Sequence, residues 1–193
     1  YAAGLDSVAA AAGPAFAVGS VVAGAASEGT PSADAPSIVR IPATTVNRGQ
    51  DNNISVELVS QGNENAGGFS LVFDPSQVTF VKAVAGSDLP TTPVVNTSNV
   101  SAGQVGITFS LPAGKVFIAG TRQVLVVTFN VLSTSNVNST AIGFGSQPVP
   151  TQVVDANAQA LPSTFTGATL SITPQVNVAP TITSVSPDSA AAG

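Results

Sequence analysis

The stretch from Gly67 to Val84 limits the folds open to this chain more than any other. Phe69, Leu71 and Phe73 alternate with Ser70 and Val72, the period-two pattern of a strand with one buried face. Asp74-Pro75 stops that strand: proline fixes φ and offers no N–H, and the aspartate side chain accepts from the backbone ahead of it. Val78, Phe80 and, after Lys82, Val84 resume the alternation. The stretch therefore reads as strand, tight turn, strand. Its aromatic positions face a common core, which Phe109 and Phe129 join from later strands.

The rest of the chain repeats this grammar. Residues 37–41 form a short strand stopped by Pro42, residues 47–52 a polar turn, and Ile54, Val56 and Leu58 alternate in a second strand. Residues 60–65 read as a polar loop. Val94-Val95 is a short strand, residues 98–103 a turn, and Val105, Ile107 and Phe109 alternate again. Phe117-Ile118 packs beneath a Pro/Gly turn at 111–114. Residues 124–131 are nearly all apolar, as in a central strand covered on both faces or a strongly bulged one. Residues 141–144, Val153-Val154, Phe165 and residues 168–172 complete the set. Turn signals recur about every eight to twelve residues, the spacing of a β-sandwich or jelly roll. No stretch carries the pattern of an amphipathic helix of normal length.

Composition removes several functions. Arg40, Arg48, Lys82, Lys115 and Arg122 are scattered and the formal net charge is −5, so the clustered positive charge of a nucleic-acid binder is missing. Histidine and cysteine are absent, which excludes His-based triads, Cys/His zinc sites and disulfides. Glu57, Glu64, Asp74, Asp88 and Asp155 are simpler to read as turn formers or exposed strand residues than as a catalytic carboxylate pair. The chain reads as non-enzymatic. There is no tryptophan and the one tyrosine is Tyr1, so a stacking platform for sugars is disfavoured, with polar recognition by Asn and Gln left open. Calcium is the one metal whose ligand chemistry is present, at Asn63-Glu64-Asn65 and at Asp155-Ala156-Asn157; Asx turns explain both clusters equally well. Otherwise no cofactor is expected.

The two ends differ from the middle. Residues 1–36 are an Ala/Gly-rich tail and linker. Residues 7–27 carry no charge, yet glycines and Pro14 make a poor membrane helix, and Asp6 replaces the basic start of a signal peptide. A flexible linker and an extended strand are the remaining readings. In the latter, Phe16, Val18 and Val22 share one parity, with Ser20 the exception, while Ala15, Ala17, Gly19 and Ala23 occupy the other. In residues 174–193, Val176, Val178 and Ile182 form a similar alternation. Both stripes are candidate subunit contacts in which a strand is donated to a neighbour's open sheet edge.

The run GGFSLVFDPSQVTFVKAVAGSDL, with TVNRGQ before it at 45–50 and VLVVTFNV at 124–131, resembles cohesin-type modules over residues 37–173. The resemblance implies an all-β, jelly-roll β-sandwich from an extracellular bacterial protein, and a receptor role for a partner module such as a dockerin. Residues 180–193 resemble the first strand of an IPT/TIG-like Ig module whose continuation is not in this sequence. The reading favoured from the sequence is an extracellular, non-catalytic module of a surface filament or layer, self-associating by strand exchange. The alternatives are the cohesin-like receptor for another extracellular protein and a polysaccharide-binding module.

Overall fold

The computed structural model describes residues 35–174. Its strands, in chain order, are β1 (Ser37–Arg40), β2 (Thr45–Asn47), β3 (Asp51–Ser60), β4 (Glu64–Phe73), β5 (Val78–Ala85) and β6 (Val94–Asn96), followed by β7 (Gln104–Ser110), β8 (Gly120–Val131), β9 (Ser139–Gly145), β10 (Gln152–Asp155), β11 (Ser163–Thr166) and β12 (Ala168–Thr173). The one helical piece among the described residues is a 3-10 turn, Val100–Ala102. The first sheet has the order β11-β1-β3-β8-β5. The second runs β2-β12-β9-β4-β7-β6, with β10 alongside the first half of β4 and β9 alongside the second half. From β3 to β9 the chain passes back and forth between the sheets, which makes a jelly-roll sandwich, as expected.

Alternation decides which side chains fill the space between the sheets. Phe69, Leu71 and Phe73 of β4 and Val105, Ile107 and Phe109 of β7 point inward and are buried. From the first sheet come Ile54, Val56 and Leu58 of β3 and Val124, Val127, Phe129 and Val131 of β8. The aromatic rings form two groups. Phe73 meets Phe129 with centroids 5.1 Å apart, and Phe80 meets Phe129 at 6.0 Å. Phe69 contacts Phe109, Phe144 and Phe165, and Phe109 contacts Phe117. Phe69, Phe73, Phe109 and Phe129 are buried in one core, as expected, although their rings meet in two groups, and Phe80, packed against that core at the rim, is only half-buried.

Other differences have local causes. The 124–131 run is both central and bulged: β8 lies between β3 and β5, and the register shifts against each. Phe117 is buried as expected, but Ile118 is 74% exposed, because successive residues of an extended segment point opposite ways. The polar loop expected over residues 60–65 shrinks to 61–63, since Glu64 opens β4 and is fully buried.

Glu64 is buried because its carboxylate closes one end of the sandwich. It accepts hydrogen bonds from the Ser37 and Ser60 hydroxyls and from the backbone N–H groups of Gln61, Gly62 and Asn63. Its own carbonyl accepts from Phe117 N–H at 2.8 Å. One residue therefore ties β1, the end of β3, the β3–β4 turn and the β7–β8 loop together. Burial pushes the Glu64 carboxyl up, but the hydrogen bonds from Gln61, Ser37 and Ser60 outweigh it and hold the group below its ordinary value of 4.5.

Phe73→Ala, which empties half of an edge-to-face pair, is expected to lower unfolding free energy by about 3–5 kcal/mol in urea titrations. A variant as stable as the parent would contradict the register described here. The Glu64 clasp makes a pH-dependent contribution. Its folded pKa lies below the unfolded one, so the stabilisation is complete above pH 4.5 and is lost as pH falls through the folded value. Glu64→Gln is expected to cost about 1–3 kcal/mol near neutrality, since an amide cannot accept from all the donors that surround it. It should also flatten the fall in stability with acid. An unchanged acid limb would assign that fall to other groups.

Candidate functional site

The outward residues of the two sheets differ in kind. On β3 and β8 of the first sheet most are polar and bonded to each other across strands, with Val84 of β5 exposed beside them. Thr128 Oγ1 donates to Asn53 Oδ1, Asn130 Nδ2 to Asp51 Oδ1 and Gln123 Nε2 to Ser55 Oγ, each at 2.7 Å. Arg40 donates to Glu57 at 2.9 Å. These groups have already found partners within the sheet.

The second sheet presents small, uncharged residues. Because Phe69, Leu71 and Phe73 face inward, Ala66, Gly68, Ser70 and Val72 of β4 face outward. They stand opposite Ser110, Thr108, Gly106 and Gln104 of β7. Val94 of β6 pairs with Thr108 and is 70% exposed. The segment joining β9 to β10 crosses this face as a strap. Ser70 Oγ donates to the Val149 carbonyl at 2.8 Å and accepts from Val149 N–H at 2.9 Å. Glycine is required beneath the strap: a Cβ on Gly106 would lie 2.5 Å from Val149 Cγ2. Between the strap and β6 runs a groove of about 360 Å³ with Ala66, Gly68 and Thr108 in its floor and Val94, Val149 and Pro150 on its sides. No ionisable side chain lines it. Its lining mixes small apolar groups with uncharged polar ones such as Thr92, Ser110 and Gln152. Sequence reasoning missed it, although the small outward residues of β4 and β7 were visible as Gly68, Ser70, Gly106 and Thr108.

The two clusters proposed for calcium come together, since Asp155 of β10 stands opposite Glu64 of β4 in the register. Three of their carboxylate oxygens are already engaged. Glu64 holds the donors described above, and Asp155 Oδ1 accepts the N–H groups of Asn157 and Gln159, both at 2.8 Å. Asn65 Nδ2 donates to the Pro112 and Lys115 carbonyls. Asn63 Oδ1 is buried without a hydrogen-bond partner, and calcium takes six to eight oxygen ligands. Among the described residues no group of three or more acidic side chains gathers. The carboxylates weighed for catalysis are likewise occupied: Glu57 by Arg40, Asp74 by the Ser76 hydroxyl and N–H, and Asp88 by Gln123 N–H and Arg122. The Ser76 hydroxyl and N–H hold the Asp74 carboxyl below its ordinary value. The candidate subunit contacts Phe16, Val18, Val22, Val176, Val178 and Ile182 lie outside the described residues, as does the Ig-like segment at 180–193. No helix among the described residues is long and apolar enough to cross a membrane.

Comparison with known proteins agrees with this architecture. The fold resembles the sixth cohesin of scaffoldin B from Acetivibrio cellulolyticus, solved in complex with a Cel5 dockerin variant, at 14% identity, with 72% of this chain and 100% of that one covered and a TM-score of 0.62. It resembles the seventh ScaB type I cohesin from Pseudobacteroides cellulosolvens at 17% identity, 76% and 97% coverage and a TM-score of 0.62. It also resembles a non-cellulosomal cohesin from the hyperthermophilic archaeon Archaeoglobus fulgidus at 15% identity, 74% and 94% coverage and a TM-score of 0.59. No curated protein sequence matches the chain. The model of the cohesin domain matches residues 38–182, and the chain therefore belongs to the cohesin family.

Proposed function

We propose that this chain is a non-catalytic, extracellular receptor module that captures a dockerin-type protein module on the outer face of its second sheet. The observation that carries the reading is the uncharged groove between the strap and β6, on a sheet face whose outward residues are small. Such a groove gains affinity by taking apolar side chains out of water rather than by pairing charges. The first sheet is the weaker candidate, because a partner there would first have to break polar pairs the sheet has made with itself. The scaffoldin cohesin solved with a dockerin supports the choice of partner class. A polysaccharide is less suited, since Phe109, the one aromatic residue of the groove, is buried.

A second reading has its own observation. Among the described residues β5 is an edge strand of eight residues, paired only with β8, and its Val81 and Val84 are 44% and 42% exposed. An open edge of that length favours a subunit that polymerises by strand exchange.

Titration calorimetry of the full chain against a panel of dockerin-type modules tests the first reading. Val94→Asp and Thr108→Arg are each expected to weaken binding at least tenfold, about 1.4 kcal/mol, while Thr121→Arg on the first sheet leaves it unchanged. Binding that survives both groove variants and fails with the third would move the site to the other sheet. On this reading the module holds no metal of its own, so its melting temperature is expected to be unchanged by a calcium chelator; a lowered one would restore the Glu64–Asp155 region as a cation site.

A further inference from the structure

We infer that the outer edge of β5 is the acceptor in strand exchange, and that its occupant is the segment around residues 15–23 of a second copy of this chain. The inference rests on the second reading above and names both sides of its joint.

The acceptor side is set by unfilled valence. Among the described residues, β5 pairs with β8 on one side, and from Thr79 to Ala85 no backbone hydrogen bond is made on the other. The remaining sheet edges are short: β2 and β6 have three residues each and β10 and β11 have four. The rim beside β5 is also thinly covered. Phe80, Ala83 and Ala85 point toward the core but stay half-buried, and two of these three are alanines. A strand laid outside β5 would place alternate side chains over this rim and the others beside Val84 on the outer face.

The donor side follows from side-chain size and charge. A strand for this edge needs bulk on its inward parity and little on its outward parity, where it lies flat on the sheet. Phe16, Val18 and Val22 supply the first; Ala15, Ala17, Gly19 and Ala23 supply the second, with Val21 the exception. Charge separates this occupant from the obvious rival, β5 of another copy. Antiparallel pairing of β5 with itself brings Lys82 toward Lys82, and facing like charges destabilise a strand pair. Residues 7–27 carry no charge and avoid that cost. Reach is not limiting. The chain before Ala35 spans about 110 Å when extended, many times the spacing between neighbouring strands. A donated strand that joins one copy to the next is a heterologous contact, and repeated it builds an open filament.

The chain contains no cysteine, so every disulfide in an engineered variant reports a designed pair. One full-length variant carries Val18→Cys and a small tag; others, untagged, carry Ala83→Cys, Ala85→Cys or, as the opposite-edge control, Ser163→Cys. Mixed in pairs and oxidised, they are read on non-reducing gels, with the assembly state of the unmodified chain followed by light scattering. The expected result is a mixed dimer with Ala83→Cys or Ala85→Cys at least tenfold above that with Ser163→Cys, and a covalent ladder from the double variant Val18→Cys, Ala83→Cys. If the chain assembles but the links favour Ser163→Cys or form with none of the three, β5 is not the acceptor and strand exchange through another joint stands. A double variant that links only within single chains overturns the inference. A chain that stays monomeric at millimolar concentration without mixed links overturns the strand-exchange reading as well.

Discussion

β4 carries bulk on one side and almost none on the other, and the architecture depends on that asymmetry. Phe69, Leu71 and Phe73 reach from it into the space between the sheets, where they meet rings from β7, β8, β9 and β11. Gly68 and Ser70, on the opposite face, leave room for the strap, and Ser70 holds it through both polar groups of Val149. A one-residue slip would exchange the two faces, turning Ser70 into the core and the phenylalanines outward, so core and strap hold the same register in place. Among the described residues β4 is also the only strand flanked by three others, β7, β9 and β10, which lets one alternation organise most of the second sheet.

Glu64, at the start of the same strand, solves a different problem. The turn from β3 to β4 exposes a row of N–H groups that no strand can satisfy. A neutral side chain could accept from one or two of them. A carboxylate accepts from three, with two serine hydroxyls besides, and the strength of charge-assisted bonds offsets the cost of burying the charge. The result is an anion used as a fastener, held by hydroxyl and N–H donors.

Where the signal was local, the sequence sufficed. The period-two runs of β3, β4, β5 and β7, the Asp74-Pro75 stop and the central place of residues 124–131 were all legible, because each depends on side chains a few positions apart. The role of Glu64 was not. In sequence it stands between two asparagines and looks like loop; its partners Ser37 and Ser60 come from other strands. Ile118 was misread beside Phe117 because alternation in a loop has no neighbouring strand to set its phase. The docking groove was invisible for a related reason. Its floor is made of residues that say little singly, Gly68, Ala66 and Thr108, and its wall comes from a strap that meets them only after β9 and β10 have both joined β4.

The sparse charge shapes how such a surface can associate. Only 8% of the residues are charged, and the described ion pairs are Arg40–Glu57 at 2.9 Å and Arg122–Asp88 at 3.6 Å, neither of them at the groove. Surface pairs of this kind contribute little and are screened within about 8 Å at physiological salt. Long-range steering is therefore weak, and on the proposed reading a partner is selected at contact, by fit. Discrimination then falls to features that exclude: the strap that covers part of the second sheet, and the glycines that allow it to lie so low. A larger residue at Gly106 would lift the strap and open the face without touching the core. In a chain this poor in charge, the proposed receptor role rests on the height of one loop above a sheet where other proteins would use complementary charges.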